Sequence, residues 1–303
     1  MLKDVPVLLL LSIALGSGQA TKGPPLTKAI KTISPAIVQI AYKMDHFPPE
    51  TQLALGATHL VGAAGTGFVV NEDGYIVTAL HVLNVLEPYQ NGFHGRDGKV
   101  YPPGRHRLLA GLQLPNTDSG AQIRGSFSDA PFTVVDRDEI HDLALLKLDH
   151  PFSPQVPQSV VKLSIARPEE GSWVAVSGYP LGEDVLVTTS GAVASSWGSK
   201  MVQELGPGGP LHRIEDLYLL DIHLNHGNSG GPVYSPDSAA VIGVADAYEM
   251  DDVMVEGGLP GAQPEQALDK DTGRALKANA GLGVVVPTRY VLDLLKKNNV
   301  KWH

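Results

Sequence analysis

His226-Gly227-Asn228-Ser229-Gly230-Gly231-Pro232 separates two apolar runs, Leu217 to Leu224 and Val241 to Val244. Glycine reaches backbone conformations that a side chain forbids. A turn of this composition can therefore hold a serine hydroxyl at its tip and gather backbone N–H groups beside it. An acyl-transfer enzyme needs that space, because fixed donors must meet the negative oxygen of a tetrahedral intermediate. Gly, Asn, Ser and Pro are also ordinary turn residues, so the stretch reads equally as a tight loop between two strands. The partners of Ser229 elsewhere in the chain decide between the two readings.

A nucleophilic serine needs a base. His81 ends the run Gly74-Tyr75-Ile76-Val77-Thr78-Ala79-Leu80-His81, just past a predicted strand. A neutral imidazole held there can take the serine proton and return it to the leaving group. The histidine in turn needs an orienting acceptor. Asp142 opens the apolar run Leu143-Ala144-Leu145-Leu146-Lys147-Leu148. A carboxylate in that place can accept the second ring N–H and fix the tautomer. Asp136, Asp138, Glu139 and Asp149 are rivals, but only Asp142 directly enters the run. Taken singly, a surface histidine and a strand-end carboxylate would be the plainer readings.

The surrounding pattern predicts short strands. They are Ala36 to Tyr42, Phe68 to Asn71, Tyr75 to Thr78, Leu108 to Leu114, Phe132 to Asp136, Leu143 to Leu148, Val174 to Val176, Val185 to Val193, Leu217 to Ile222, Val241 to Ala247 and Leu282 to Val286. Asp45 to Ala64, Ser199 to His212 and Tyr248 to Ala280 read as loops. Leu26, Ala29, Ile30 and Ile33 recur at helical spacing before Pro35. At the other end Thr288 can cap a helix carrying Tyr290, Val291, Leu294 and Leu295. Many short strands with helices only at the ends predict an all-β barrel or sandwich.

Composition bounds the function. The chain has 303 residues with 43% hydrophobic and 18% charged, enough for a real core and not the balance of a disordered protein. The net charge is −9 and no Lys/Arg cluster stands out, which argues against nucleic-acid binding. There are no cysteines, so disulfides, thiol nucleophiles and thiolate metal sites are excluded. Residues 1–20 read as a signal peptide: Lys3, the apolar run Val5 to Leu15, then Gly18-Gln19-Ala20. That run is too short to cross a bilayer as an ordinary helix, so no stable membrane span is expected after cleavage. Retention of the run as an anchor is the alternative. A periplasmic or secreted bacterial location fits an exported chain without cysteine.

The order His81, Asp142, Ser229, with its flanking motifs, resembles the trypsin-fold serine proteases, and within them the HtrA/Deg type. The motifs are Gly65-Thr66-Gly67-Phe68, Asp73-Gly74-Tyr75-Ile76-Val77-Thr78, His81-Val82, Asp142-Leu143-Ala144-Leu145-Leu146-Lys147, Gly178-Tyr179-Pro180-Leu181-Gly182, Thr189-Ser190-Gly191, Asn225 to Pro232, and Gly281 to Pro287. The resemblance implies two packed six-stranded antiparallel β-barrels, roughly 36–150 and 159–287, within a protease domain spanning 21–303. It implies Ser229 as nucleophile, His81 as general base and Asp142 as its orienter, with the N–H groups of Gly227 and Ser229 as the oxyanion hole. For the substrate pocket it points to His223, six residues before the serine, to Leu224, and to Asp246 on the pocket-wall strand. Polypeptides are the implied substrates, unfolded or damaged ones foremost, with no cofactor and no metal. The family is commonly homo-oligomeric. The chain departs from it in ending without a PDZ domain, in His226 where Arg is common, and in its long acidic stretch from Tyr248 to Ala280.

Two metal readings are weaker. His223 and His226 stand three apart but lack a further nameable ligand, so pocket lining is the expectation. Asp269-Lys270-Asp271-Thr272-Gly273 begins like a calcium loop, but Ala280 stands where the closing Glu is needed. Two rival functions use the same residues. One is a non-catalytic binder of unfolded chains, which the presence of all three triad residues argues against. The other is an esterase, whose usual strand-turn-helix serine context is not predicted here.

Overall fold

Apolar alternation closes this chain into two barrels of the same design. The computed structural model describes residues 26–89, 91–94, 98–114, 127–154, 158–180, 185–203, 211–252, 254–255, 265–266 and 277–302. The predicted signal peptide and the Asp269 turn lie outside them. Strands β1 (Ile37–Asp45), β2 (Leu60–Val69), β3 (Tyr75–Ala79), β4 (Arg105–Gln113), β5 (Phe127–Asp138) and β6 (Leu143–Leu148) form the first barrel. Their order is β1-β2-β3-β6-β5-β4, with β4 returning to β1. The second barrel holds β7 (Trp173–Gly178), β8 (Val187–Gln203), β9 (Leu211–Asp221), β10 (Pro232–Tyr234), β11 (Ala240–Asp252) and β12 (Lys277–Pro287). Its order is β7-β8-β9-β12-β11-β10, closed by β10 on β7. All these pairings are antiparallel, and the expected pair of six-stranded antiparallel barrels is what the chain forms.

The strands that face the seam are buried on both sides. In β6, Ala144, Leu146 and Leu148 fill the first barrel, while Leu143 and Leu145 point into a cluster shared with the second. In β12, Val285 fills the second barrel, while Val284 and Val286 join the shared cluster. That is why these runs lack the polar alternation of a half-exposed strand. Each such buried Leu or Val side chain contributes about 1.5–3 kcal/mol. The shared cluster also takes Ala29 and Ile33 of α1 (Leu26–Ile33) and Val291, Leu294 and Leu295 of α3 (Thr288–Lys297).

Four local expectations are corrected. The stretch Asp45 to Ala64 is not all loop, because α2 (Pro49–Leu55) lies within it. Pro49 opens this helix and Gly56, at φ +64°, closes it, which is the usual asymmetry of helix ends. Helices are thus not confined to the termini. The predicted loops Ser199 to His212 and Tyr248 to Ala280 begin and end as ladders. β8 and β9 pair out to Gln203 opposite Leu211, and β11 and β12 pair out to Asp252 opposite Lys277. Main-chain hydrogen bonds build these ribbons, so no apolar period marks them. Thr288 does not cap α3; Pro287 precedes the helix, and the Thr288 hydroxyl donates to the Val241 carbonyl instead. Finally, β10 follows the serine turn directly, and at three residues it was too short to read.

Candidate active site

Sheet register brings the acid to the histidine. β3 pairs with β6 so that Ala79 stands opposite Leu143. One step outward, Leu80 N–H donates to the Asp142 carbonyl at 2.9 Å. Asp142 adopts φ +54°, a left-handed conformation that turns its side chain back over the strand end. There it accepts twice from His81. The main-chain N–H of His81 donates to Oδ1 at 2.9 Å, and ring Nδ1 donates to Oδ2. An ionised carboxylate only accepts, so Nδ1 carries the proton and Nε2 keeps its lone pair. Burial disfavours the Asp142 carboxylate, but hydrogen bonds and charge from His81 outweigh it and hold this carboxyl below the usual carboxylate range. The histidine side chain is 45% exposed and the acid 17%, so the ring faces solvent while the carboxylate is sheltered.

Ser229 comes from the other barrel, in the turn between β9 and β10. Two contacts from β2 lock that turn to the first barrel. Thr66 N–H donates to the Ser229 carbonyl at 2.9 Å, and Thr66 Oγ1 donates to the Gly227 carbonyl at 2.6 Å. Thr66 Oγ1 also accepts from Tyr179 N–H at 3.0 Å, and Thr78 Oγ1 donates to the Thr66 carbonyl at 2.6 Å. The turn is braced from behind as well. Asn228 N–H donates to Asn225, and Gly230 N–H to Ala245. Gly227 sits at φ +96°, and a Cβ there would lie 2.1 Å from the Tyr179 carbonyl oxygen, so both conformation and space demand glycine. Gly65 serves closeness alone: a Cβ would meet Val82 at 2.6 Å and the Ser229 carbonyl at 3.0 Å. It lets the histidine segment and the serine turn meet at the seam. Among the described residues, the N–H groups of Gly227 and Ser229 donate to no protein acceptor.

The Ser229 hydroxyl donates to the Asp246 main-chain carbonyl at 3.0 Å. It has one proton, so donating it to Nε2 of His81 means giving up the Asp246 carbonyl. Such realignment on substrate binding is ordinary for catalytic hydroxyls.

The three pocket candidates part company. His223 is exposed and its ring lies against Gly281. Leu224 is buried in the second barrel beside Gly283. Asp246 is buried with its carboxyl turned toward His81 and Asp142. His226 is exposed at the start of the turn. Among the described residues, no group of three metal-capable side chains lies outside the His81–Asp142–Asp246 cluster, whose members already engage one another. Thr66 is the residue that sequence reading left without a role. Its only signal was a hydroxyl between two glycines on an otherwise apolar strand.

Comparison with known proteins identifies the family. The family described as "Trypsin-like peptidase domain" matches residues 65–244, more than half of the chain. The chain belongs to the trypsin-like peptidases. It is similar to the serine protease HTRA1B of Danio rerio, 29% identical over 72% of this chain and 36% of that protein. It is also similar to the putative serine protease HhoA of Synechocystis, 26% identical over 76% of this chain and 46% of that protein. A probable periplasmic serine endoprotease, DegP-like, of Halomonas elongata is 25% identical over 80% of this chain and 48% of its own length. Relatives of the HtrA/DegP type thus cover most of this trypsin-like chain, which spans between about a third and a half of their length. Among solved structures, the Rv3671c protease of M. tuberculosis in its active form shares the fold. The TM-score is 0.50 and the identity 20%, over 92% of this chain and 86% of that one. Among the described residues, no helix is long and apolar enough to cross a membrane.

Proposed function

We propose that the chain is an exported serine endopeptidase that cleaves unfolded or damaged polypeptides through an acyl-enzyme. Ser229 Oγ attacks the scissile carbonyl while Nε2 of His81 takes its proton. Asp142 holds the ring by Nδ1 and stabilises the imidazolium that forms. The N–H groups of Gly227 and Ser229 receive the oxyanion. His81 then protonates the leaving amine, and water repeats the sequence in reverse to free the enzyme. No cofactor or metal enters these steps. The observation that carries this reading is the seam itself. A histidine–carboxylate pair on one barrel meets a serine turn on the other, and Thr66 bonds the two together.

The pocket for the side chain preceding the cut takes small or medium apolar groups. Asp246 turns its carboxyl to the histidine pair, and neither His223 nor Leu224 offers a fixed negative charge for Lys or Arg. A cation there would be desolvated without a partner, at a cost of several kcal/mol. A periplasmic or secreted setting follows from the N-terminal segment and suits unfolded substrates. A fluorophosphonate probe tests the reading. Labelling of the parent but not of Ser229→Ala, together with casein digestion, supports it. Absent labelling would favour a binding module, and labelling with ester turnover alone would favour an esterase.

A further inference from the structure

Asp246 is the extra residue of a β-bulge. On β11, Ala245 pairs with Val285 of β12 and Ala247 pairs with Val284, so nothing on β12 stands opposite Asp246. A bulge re-aims a side chain, and this one sends a carboxyl to the seam. The side chain is 2% exposed, and Oδ1 lies 3.9 Å from His81 Nδ1. Asp246 is one of the groups that hold the Asp142 carboxyl below the usual carboxylate range. One oxygen of each acid and a ring nitrogen of His81 lie within 4.8 Å of one another.

Two ionised carboxylates this close repel, and neither can donate to the other. One of this pair must carry a proton, as in any two acids that share a site. Asp142 is the anion, since it already accepts a main-chain and a ring N–H from His81. The proton therefore belongs to Asp246. Charge on His81 argues the same way. A second anion at 3.9 Å would stabilise the imidazolium in the resting enzyme and occupy the nitrogen needed as base.

We propose that Asp246 is a positioning residue that works as a neutral carboxylic acid, donating its O–H to Asp142 and so fixing the carboxylate that orients His81. This rests on the reading of His81, Asp142 and Ser229 as a triad. The titratable groups facing the acid are His81, on the segment after β3, and Asp142, at the mouth of β6. From the serine turn, the Ser229 hydroxyl reaches the main-chain carbonyl of the same residue. Asp246 thus links both halves of the site, through its side chain on one and its backbone on the other.

Asp246→Asn keeps a donor toward Asp142, whereas Asp246→Leu removes it at similar size. The asparagine variant should keep kcat within about threefold and leave KM unchanged, while the leucine variant loses about 10- to 100-fold in kcat with little change in KM. Two readouts do not need turnover. An infrared difference spectrum of the parent minus Asp246→Asn at pH 7 should show the carbonyl band of a protonated acid. The imidazole titration of His81, followed by NMR, should be the same in both within a few tenths. If Asp246 were an anion, its removal would lower that titration by about one pKa unit or more. A missing acid band, a lowered His81 titration, or an asparagine variant as impaired as the leucine one overturns the proposal. So does a selective loss of cleavage after Lys and Arg in Asp246→Asn, which would make Asp246 a specificity acid. Should Asp246→Leu fail to fold, the asparagine variant, the band and the titration still decide. If the parent takes no fluorophosphonate, the triad reading fails by itself, while the band and the titration still judge where the proton resides.

Discussion

Thr66→Val is the sharpest perturbation of the seam, because it changes one oxygen for a methyl group at a fully buried position. Two hydrogen bonds disappear with that oxygen: the 2.6 Å bond to the Gly227 carbonyl and the 3.0 Å bond from Tyr179 N–H. The Tyr179 N–H is left unpaired beside a buried ring, at about 1–3 kcal/mol. The carbonyl of half-buried Gly227 loses its donor, at about 0.5–1.5 kcal/mol. The expected loss is about 2–4 kcal/mol, which lowers Tm by about 5–15 °C in a domain of this size. Activity falls as well, because the Gly227–Asn228 peptide loses its anchor on one side and keeps only the bond from Asn228 N–H to Asn225. Donors misplaced by about 1 Å cost up to about 100-fold, so kcat should drop about 10- to 100-fold with KM little changed. Thr66→Ser retains the hydroxyl and should stay near the parent in both respects. Thermal melts by circular dichroism and steady-state cleavage of a peptide substrate measure the two effects. A valine variant that melts within about 2 °C of the parent and keeps its kcat would refute the view that Thr66 secures the serine turn.

Ser229→Ala should lose about 10⁴- to 10⁶-fold in kcat with an unchanged melt; activity on casein within tenfold of the parent would remove Ser229 from the nucleophile's role. Asp142→Asn should cost about 10⁴-fold, because the amide can donate where the carboxylate accepted and so favours the wrong imidazole tautomer; near-parental activity at pH 7 would point to another acid. The Asp142 carboxyl is held below its usual range, so its stabilisation is present above about pH 4 and is lost as pH falls through the folded value. Urea titrations should therefore show the parent losing more stability than Asp142→Asn between about pH 5 and 2, and equal losses would contradict this electrostatic account. Cleavage-site profiling on a denatured-protein library should return mainly Val, Ala, Leu or Ile before the cut; dominant Lys or Arg would restore an acidic pocket.

The parts of this architecture that could be read from the chain are those where packing writes a period. Leu143 to Leu148 is apolar throughout because two cores claim its alternate residues, and that placed Asp142 at a strand mouth. The glycines around Ser229 likewise announced a constrained turn, and Gly227 does hold a positive φ. The ribbons beyond Val193 and Ala247 were illegible because main-chain pairing without a core face leaves no mark on side-chain chemistry. The aim of Asp246 was hidden for another reason. The strand carrying it was plain from Val241 to Ala247, but a bulge breaks the two-residue alternation by which a side chain's direction is counted. Thr66 was quoted as part of a motif and given no role, since its partners lie 113 and 161 residues away.

The seam location also follows from what a single barrel can supply. The first barrel is closed by hydrogen bonds between β4 and β1, so its own backbone donors are consumed in the ladder. Unpaired N–H groups arise where the chain leaves a ladder, and the turn from Asn225 to Gly231 is such a place. A turn of that length is soft unless something outside it fixes it. β2 supplies the fixing contacts through Thr66, and β11 supplies them from the opposite side through Ala245 and Asp246. The histidine and its acid, by contrast, need a rigid mount that holds two side chains in register. The β3–β6 ladder provides one, with Ala79 opposite Leu143. In the proposed mechanism the nucleophile thus belongs to the barrel with the turn and the base to the barrel with the register, and Gly65 allows their segments to approach closely. A side chain larger than hydrogen at position 65 would press on Val82 and the Ser229 carbonyl, and so would move the His81 segment away from the serine turn.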